Sequence, residues 1–270
     1  MTSTSESTQR SRPVKTAAVV THGPKDVGQA VERVRAVAEH TGVKLVDDHR
    51  SAEIVIAVGG DGTILHALSE LLGSDVPVIG VNFGRVGFLA SIKPDGLEAD
   101  LQRVFAGEYD VVELPTLQVE FDGGKQVAVN DVVATSSTLG RMVELSWAVG
   151  GEDLGIVPCD GMICATPSGS TAYNLSNGGP VLVRGLDAMA VTFIAPHSLH
   201  ARPLVVPRGL TLTAGNRTPD VTVAVLVDGH RVGEMAPGNE IAVYLCEQRS
   251  LLATLPETTF FGRYRETFSS

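Results

Sequence analysis

A run of apolar, mostly β-branched residues that ends in a glycine-rich turn constrains this chain most strongly. Residues 54–58 (IVIAV) lead directly into residues 59–63 (GGDGT), and apolar residues at helical spacing follow as far as Leu72. This pattern predicts a buried strand, a tight turn and the start of a helix. Because glycines let the backbone approach a ligand closely and a helix N-terminus presents free N–H groups, the turn is suited to phosphate.

Asp61, inside this turn, has two interpretations. It is either a helix cap beside glycines that only turn the chain, or a reactive carboxylate facing a phosphate-bearing ligand. The turn alone favours neither, so the rest of the chain has to decide.

Composition excludes several classes of protein. The 270 residues are 43% apolar, which is typical of a folded globular protein, and the formal net charge of −10 argues against general binding to nucleic acid. No apolar run reaches the length of about 18 residues that a membrane span needs.

Cysteine usage and the amino terminus predict the cellular compartment. Cys159, Cys164 and Cys246 form no CxxC pair, which predicts reduced thiols and a cytoplasmic protein. Residues 1–13 are polar and lack the apolar stretch of a signal peptide, so we interpret them as a flexible tail.

The predicted pattern of secondary structure changes near residue 110. Between 14 and 109, strand-like runs alternate with helical patterns, which predicts a layered, Rossmann-like α/β domain with ligands at the carboxyl ends of its strands. From 110 to 250 the runs are all of β type and predict a sandwich-like second domain. Residues 251–270 are again aromatic and apolar, and we expect them to pack on another part of the protein.

Three further segments bear on function. Residues 159–180 (CDGMICATPSGSTAYNLSNGGP) mix neutral hydrogen-bonding groups with apolar ones, so they form either a polar surface loop or a ligand pocket. The interleaved apolar residues and the lack of Lys and Glu favour a pocket for a polar, uncharged or aromatic ligand group. Asn130 and Asp131 interrupt an apolar β run, as a strand end or as a pair that grips ribose hydroxyls or an amino group. Asp228–Gly229 predicts a hairpin turn, and His230 alone is weak evidence for catalysis.

Several familiar motifs are missing from the sequence. It contains no GxSxG, HExxH, GxxxxGK[ST] or GxGxxG pattern, and no set of residues at metal-ligand spacing accompanies His197 and His200. We therefore expect no protein-built metal site.

The order of these segments resembles that of the NAD kinases, the ATP- or polyphosphate-dependent family. The resemblance runs from 14 to about 256 and rests on GGDGT, GRVGF (84–88), Asn130–Asp131, residues 159–180 and APHSLHARPLV (195–205). GGDGT is shared with diacylglycerol and sphingosine kinases, but its combination with TPSGSTAYNLSNGGP is specific.

The resemblance implies a transferase that phosphorylates the adenosine-ribose 2′-hydroxyl of NAD to make NADP. Asp61 would be the general base, ATP or polyphosphate the donor, and Mg²⁺ would be carried with the phosphates. The phosphate-binding residues implied are Gly59, Gly60, Gly62 and Thr63. The NAD-binding residues implied are Gly62, Phe88, Asn130, Asp131, Asp160, Ser168, Thr171, Ala172, Tyr173, Ser176, Ala195 and, as a phosphate-side candidate, His230.

The resemblance also implies a homo-oligomer, dimer or tetramer, in which the residues matching Asp160 and Ala195 reach a neighbouring subunit's site. The carboxyl-terminal tail would return to the first domain. The alternatives are another GGDGT kinase acting on a lipid or sugar, and a non-catalytic dinucleotide-binding module. The polar character of residues 159–180 argues against an acyl channel, and the presence of Asp61 argues against a degenerate site.

Overall fold

The structure, a computed structural model, describes residues 8–10, 12–21, 28–83 and 87–268. The chain forms two compact units: Met1–Leu114 with Arg249–Ser270, and Pro115–Gln248. The first unit is α/β and the second is rich in β-sheet, as the sequence predicts. The sequence placed the domain boundaries after 109 and 250.

The first unit is built on a parallel sheet. Its strands are β2 (Thr16–Thr21), β3 (Lys44–Leu45), β4 (Ile54–Gly59), β5 (Val78–Asn82) and the end of β17 (Glu240–Thr254). They lie side by side in the order β17–β5–β4–β2–β3. All six residues of β4 are buried, which explains its unbroken apolar sequence.

The strand order reverses beside β4. The chain passes from β2 to β3 on one side and then crosses to β4 on the other, so β2 and β4 enclose a topological switch point, where open α/β sheets bind ligands. Gly59, at the end of β4, pairs with Asn82, at the end of β5. The loops that follow these two strands therefore begin at one edge of the sheet, as predicted.

Within the described residues, four α-helices belong to this unit: α1 (Gly28–Thr41), α2 (Asp61–Glu70), α3 (Leu97–Phe105) and α5 (Phe260–Phe268). Buried residues of α1 and α3 join those of β4 in one hydrophobic cluster, which Ala253 and Leu255 extend. Residues 249–268 are thus part of the first unit, as the resemblance implied.

No helix in the described ranges is long and apolar enough to span a bilayer.

A short strand, β1 (Thr8–Arg10), departs from the predicted flexible tail. It pairs antiparallel with the start of β6 (Tyr109–Phe121). Backbone hydrogen bonds to a neighbouring strand require no apolar pattern, so the polar sequence gave no sign of this strand. The rest of the predicted tail up to residue 7, and residue 11, lie outside the described residues.

The second unit has two antiparallel sheets. Besides β6 and β17, their strands are β7 (Gly124–Ala128), β8 (Asp131–Ser136), β9 (Val143–Val149), β10 (Glu152–Cys159), β11 (Gly161–Ala165), β12 (Ala188–Ile194), β13 (Leu204–Pro207), β14 (Leu212–Asn216), β15 (Val223–Val227) and β16 (His230–Met235). The first sheet contains β10, β9, β14 and the beginning of β17 in that order, together with the β6–β7 hairpin. The second has the order β13–β12–β11–β8–β15–β16.

A large hydrophobic cluster forms the core of this unit. It joins Leu145 and Val243 of the first sheet to Met162 and Val225 of the second, in a sandwich-like arrangement. The single α-helix of this unit within the described ranges is α4 (Tyr173–Ser176), which follows a 3₁₀ turn at Gly169–Thr171.

Candidate functional site

The turn between β4 and α2 has the strand–turn–helix form that the sequence predicts. Gly60 is the residue before the first turn of α2, with φ −92° and ψ −175°, and Asp61 is the first helical residue. A Cβ atom on Gly59 would lie 2.2 Å from Thr63 Oγ1, so only glycine fits there. The first N–H groups of a helix have no partner within it, so this turn presents donors to an anion.

The carboxylate of Asp61 does not cap its own helix. Oδ2 accepts a hydrogen bond from the amide of Phe88 at 2.7 Å, and Oδ1 accepts one from Leu89 at 3.3 Å. The loop passes so close that a Cβ atom on Gly87 would lie 2.3–2.4 Å from the carboxylate. The neighbouring loop therefore fixes the orientation of Asp61, and the interpretation as a helix cap is wrong.

Phe88 occupies a position that the resemblance assigned to NAD. Its side chain is only 9% exposed. The ring packs against two aromatic rings of α5, with centroid separations of 6.1 Å to Phe260 and 5.7 Å to Phe268. Only a small part of the ring is open to a ligand in this structure. Residues 84–86 of the GRVGF motif lie outside the described residues.

Within the second unit, Asn130 and Asp131 form the turn that enters β8. Asp228 fixes this turn, because its carboxylate accepts hydrogen bonds from three successive amides: Val129 at 2.9 Å, Asn130 at 2.7 Å and Asp131 at 3.1 Å. Asp228 and Gly229 have φ of +48° and +82° in the two-residue loop between β15 and β16. These values suit a type I′ turn and confirm the predicted hairpin.

Asp131 is a buried carboxyl group that is only 6% exposed. Burial, and secondarily the negative charge of Asp228, raise the pKa of Asp131 to about 7. Near neutral pH the group is therefore balanced between a protonated form, which donates a hydrogen bond, and an ionised form, which only accepts.

Residues 166–171 pack directly against the Asn130 turn. The Ser168 hydroxyl donates to Asn130 Oδ1 at 3.0 Å, and the Thr166 amide donates to the Asn130 carbonyl at 2.9 Å. A Cβ atom on Gly169 would lie 2.1 Å from that carbonyl oxygen, which accounts for a glycine inside the TPSGST run. Thr171 is linked through its hydroxyl to the Ser168 carbonyl at 3.2 Å.

The structure brings some of the predicted NAD-binding residues together and separates others. Asn130, Asp131, Ser168 and Thr171 form one cluster, and Ala172, Tyr173 and Ser176 follow at and within α4. His230 is exposed at the start of β16, directly after the hairpin that carries Asp228.

Asp160 and Ala195 lie at the other end of the same sheet. The Asp160 amide donates to the Ile194 carbonyl at 3.0 Å, so the two residues are neighbours. In the β8–β11 register, Ala165 is opposite Asp131 and Gly161 is opposite Thr135. At about 3.3 Å per residue, Asp160 lies roughly 17 Å along the strand from the Asn130 cluster.

The side chains of Asp228 and Asn174 hold backbone groups of this region in place, which the sequence did not indicate. Asp228 looked like an ordinary hairpin residue, and the Asp-Gly pair gave no sign that its carboxylate binds three amides. Asn174 is fully buried, donates to the carbonyls of Ser170 and Pro180 at 3.0 Å each, and accepts from Thr192. Its place in a run of polar residues was visible in the sequence, but its structural role was not.

Metal-binding side chains are not grouped in the part of the chain that the structure describes. No three His, Cys, Asp or Glu residues there are placed to hold one ion.

Both parts of the chain match known protein families. Residues 3–109 match the ATP-NAD kinase N-terminal domain, and residues 129–255 match the ATP-NAD kinase C-terminal domain. The NAD kinase of Heliobacterium modesticaldum is 36% identical over 245 residues, which cover 89% of this chain and 87% of that protein. The NAD kinase of Thermomicrobium roseum is 37% identical over 222 residues, which cover 80% of this chain and 76% of that protein.

The chain belongs to the NAD kinase family. Solved structures agree with this assignment. An NAD kinase from Archaeoglobus fulgidus in complex with ATP aligns with a TM-score of 0.78 and 27% identity, covering 94% of this chain and 97% of that one. Yeast NADH kinase complexed with NADH aligns with a TM-score of 0.84, covering 95% and 88%, and at 22% identity it supports the fold alone.

Proposed function

We propose that this protein is an NAD kinase that transfers the terminal phosphoryl group of ATP or polyphosphate to the adenosine-ribose 2′-hydroxyl of NAD. The observation that carries the proposal is the family match over both parts of the chain, residues 3–109 and 129–255. The lipid- or sugar-kinase alternative and the non-catalytic alternative are not favoured, because neither accounts for a match over both parts.

Asp61 is the proposed general base. Its carboxylate lies near the C-terminal end of β4, beside the switch point of the sheet. The amides of Phe88 and Leu89 hold it in one orientation. A fixed carboxylate next to a helix N-terminus suits a reaction in which the alcohol loses a proton while phosphate charge accumulates nearby. Gly59, Gly60, Gly62 and Thr63 are the proposed phosphate-binding residues of this turn.

The Asn130 cluster is the proposed binding site for the adenosine part of NAD. Asn130, Asp131 and Ser168 present amide, carboxyl and hydroxyl groups within one hydrogen-bonded turn. Groups of this kind can pair with ribose hydroxyls and with the edge of an adenine ring. Phe88, Thr171, Ala172, Tyr173, Ser176 and His230 would complete the contacts that the family resemblance implies.

The donor would enter as a complex with Mg²⁺ or another divalent cation. Mg²⁺ prefers phosphate and water oxygens and needs few protein ligands when it is carried by a nucleotide. The ATP complex of the Archaeoglobus fulgidus relative supports ATP as one donor.

A homo-oligomer, dimer or tetramer, is the proposed working form. Asp160 and Ala195 lie roughly 17 Å along the sheet from the Asn130 cluster of their own subunit, which supports the proposal that they contact the NAD of a second copy. Exposed Leu154 and Ile156 on β10 supply apolar surface that an interface would cover. Light scattering after size exclusion should give a mass of two or four chains, and a monomer that is fully active would contradict this proposal.

The proposed compartment is the cytoplasm. Cys159, Cys164 and Cys246 are unpaired and buried. Burial raises the pKa of Cys159 and of Cys164 to about 12, so these thiols stay protonated and unreactive at neutral pH.

Incubation of the purified protein with acceptor and donor panels tests the function. NAD, NADH, diacylglycerol and a sugar would each be supplied with ATP, with another nucleoside triphosphate or with polyphosphate, in the presence of Mg²⁺. Formation of NADP, detected with an NADP-specific dehydrogenase, is the expected result. Phosphorylation of the lipid or sugar without NADP would contradict the proposal.

A further inference from the structure

The orientation of Asp61 depends on the backbone of the loop at residues 87–92, called here the clamp loop. Phe88 and Leu89 donate the two hydrogen bonds to the Asp61 carboxylate. Whatever fixes the backbone at these two amides therefore also fixes the proposed base.

Backbone hydrogen bonds tie the clamp loop to β5. The amides of Ser91 and Ile92 donate to the Gly80 carbonyl of β5, at 3.1 Å each. Beside the loop lies a cavity of about 390 Å³, lined in part by Ser91, Lys93 and Thr259. The Ser91 hydroxyl is buried and has no hydrogen-bond partner among the described residues. The cavity therefore lies between Ser91 of the clamp loop and residues of α5, Arg263 among them.

Arg263 of α5 reaches across to the clamp loop. Its Nη2 donates to the carbonyl of Ala90, the residue after the two amides that hold Asp61. The Arg263 residue is only 7% exposed. A buried guanidinium is costly unless it is paired, and Glu266 accepts from Nη1 at 3.1 Å while also binding Lys93 at 3.2 Å. The Ala90 carbonyl and the Glu266 carboxylate thus hold the guanidinium of Arg263 in place.

Aromatic contacts join the same two segments. The ring of Phe88 packs against Phe260 and Phe268, one at each end of α5. The helix therefore holds the clamp loop at Phe88 through rings and at Ala90 through a charge-assisted hydrogen bond.

We infer that α5 sets the geometry of the proposed base, with Arg263 as a positioning residue that acts on Asp61 through the clamp loop. This inference rests on the proposed role of Asp61. It adds α5 to the parts of the protein that orient the proposed base, although α5 contains none of the predicted site residues.

Arg263→Met and Arg265→Met form a matched pair of variants for the test. Arg265 lies on the same helix with an exposed side chain. Since misplacing a catalytic group by about 1 Å costs roughly 100-fold in rate, Arg263→Met should lower kcat by about 10- to 100-fold with the KM for NAD within about threefold of the wild-type value. Arg265→Met should behave as wild type, and Arg263→Lys, which keeps a charged donor, should recover part of the rate.

A second measurement is independent of turnover. Amide hydrogen exchange at Phe88 and Leu89 should be at least about tenfold faster in Arg263→Met than in Arg265→Met, because the loop loses its outer anchor. In an Asp61→Asn background, Arg263→Met should lower the residual rate no further, whereas a general loss of structure would lower it again.

The outcomes distinguish a failure of the positioning role of Arg263 from a failure of the proposed function. Unchanged exchange, or a kcat for Arg263→Met within about twofold of the control, overturns the positioning role. If Arg263→Met does not fold, Arg263→Lys carries the same two readouts. A wild-type protein that makes no NADP overturns the proposed function, while the exchange measurement still decides whether Arg263 anchors the loop.

Discussion

Replacing Asp131 by Asn removes a buried carboxyl group while keeping its shape, and it should change how stability depends on pH. The pKa of Asp131 is raised from 3.8 to about 7, chiefly by burial. A carboxyl group with a raised folded-state pKa stabilises the folded protein fully below its unfolded pKa, and this contribution is lost as pH rises through the folded pKa. The wild-type protein should therefore lose stability, relative to the variant, as pH rises from 4 to 7.

The magnitude follows from the two pKa values. The raised pKa of Asp131 corresponds to about 4 kcal/mol over the whole range, since a tenfold change in a proton-binding constant is worth about 1.4 kcal/mol. Between pH 5 and pH 8, the part that is readily measured, the free energy of unfolding of the wild type should fall by about 2.5 kcal/mol relative to Asp131→Asn. Asp131 is 6% exposed, so solvent screens little of this effect.

Urea unfolding of both proteins at pH 5, 6, 7 and 8, without nucleotide, measures this difference. Asp122→Asn is a suitable control because it makes the same exchange at an exposed position in the same unit. The pH-dependent difference should be specific to Asp131. Parallel stability curves for wild type and Asp131→Asn over this range would refute the argument that burial dominates at this residue.

Two other substitutions test the geometry of the site. Asp228→Ala removes the acceptor of three amides, so it should lower the free energy of unfolding by about 2–4 kcal/mol and raise the KM for NAD. Asp228→Asn should have an intermediate effect. Thermal unfolding measures the loss of stability, and titration with NAD measures the change in KM. Gly87→Ala places a methyl group where the Asp61 carboxylate lies and should lower kcat by about 10- to 100-fold. Gly28→Ala, which meets no atom within 4 Å, is its control, and equal rates for the two would show that the loop tolerates the methyl group.

The fold was largely predictable from the sequence because its signals are local. The continuous apolar run of β4 and the glycines after it define a strand–turn–helix without reference to any distant residue. The change from alternating helices and strands to β runs near residue 110 reflects a real change of architecture.

The contacts that orient the site could not be predicted in the same way. Arg263 lies 173 residues from the Ala90 carbonyl that it binds, and Asp228 lies 97–99 residues from the amides that it holds. Neither pair has a spacing or a residue pattern that marks it. Both depend on which segments the fold brings together, so only the structure reveals them.

The proposed role of Asp61 as the general base is the central claim, and Asp61→Asn tests it most directly. The amide keeps the shape of the side chain but cannot accept the proton of the 2′-hydroxyl. We expect NADP formation to fall by about 10²- to 10⁴-fold while the Kd for NAD, measured by calorimetry, stays within about threefold of the wild-type value. Turnover near the wild-type rate with unchanged NAD binding would contradict the account.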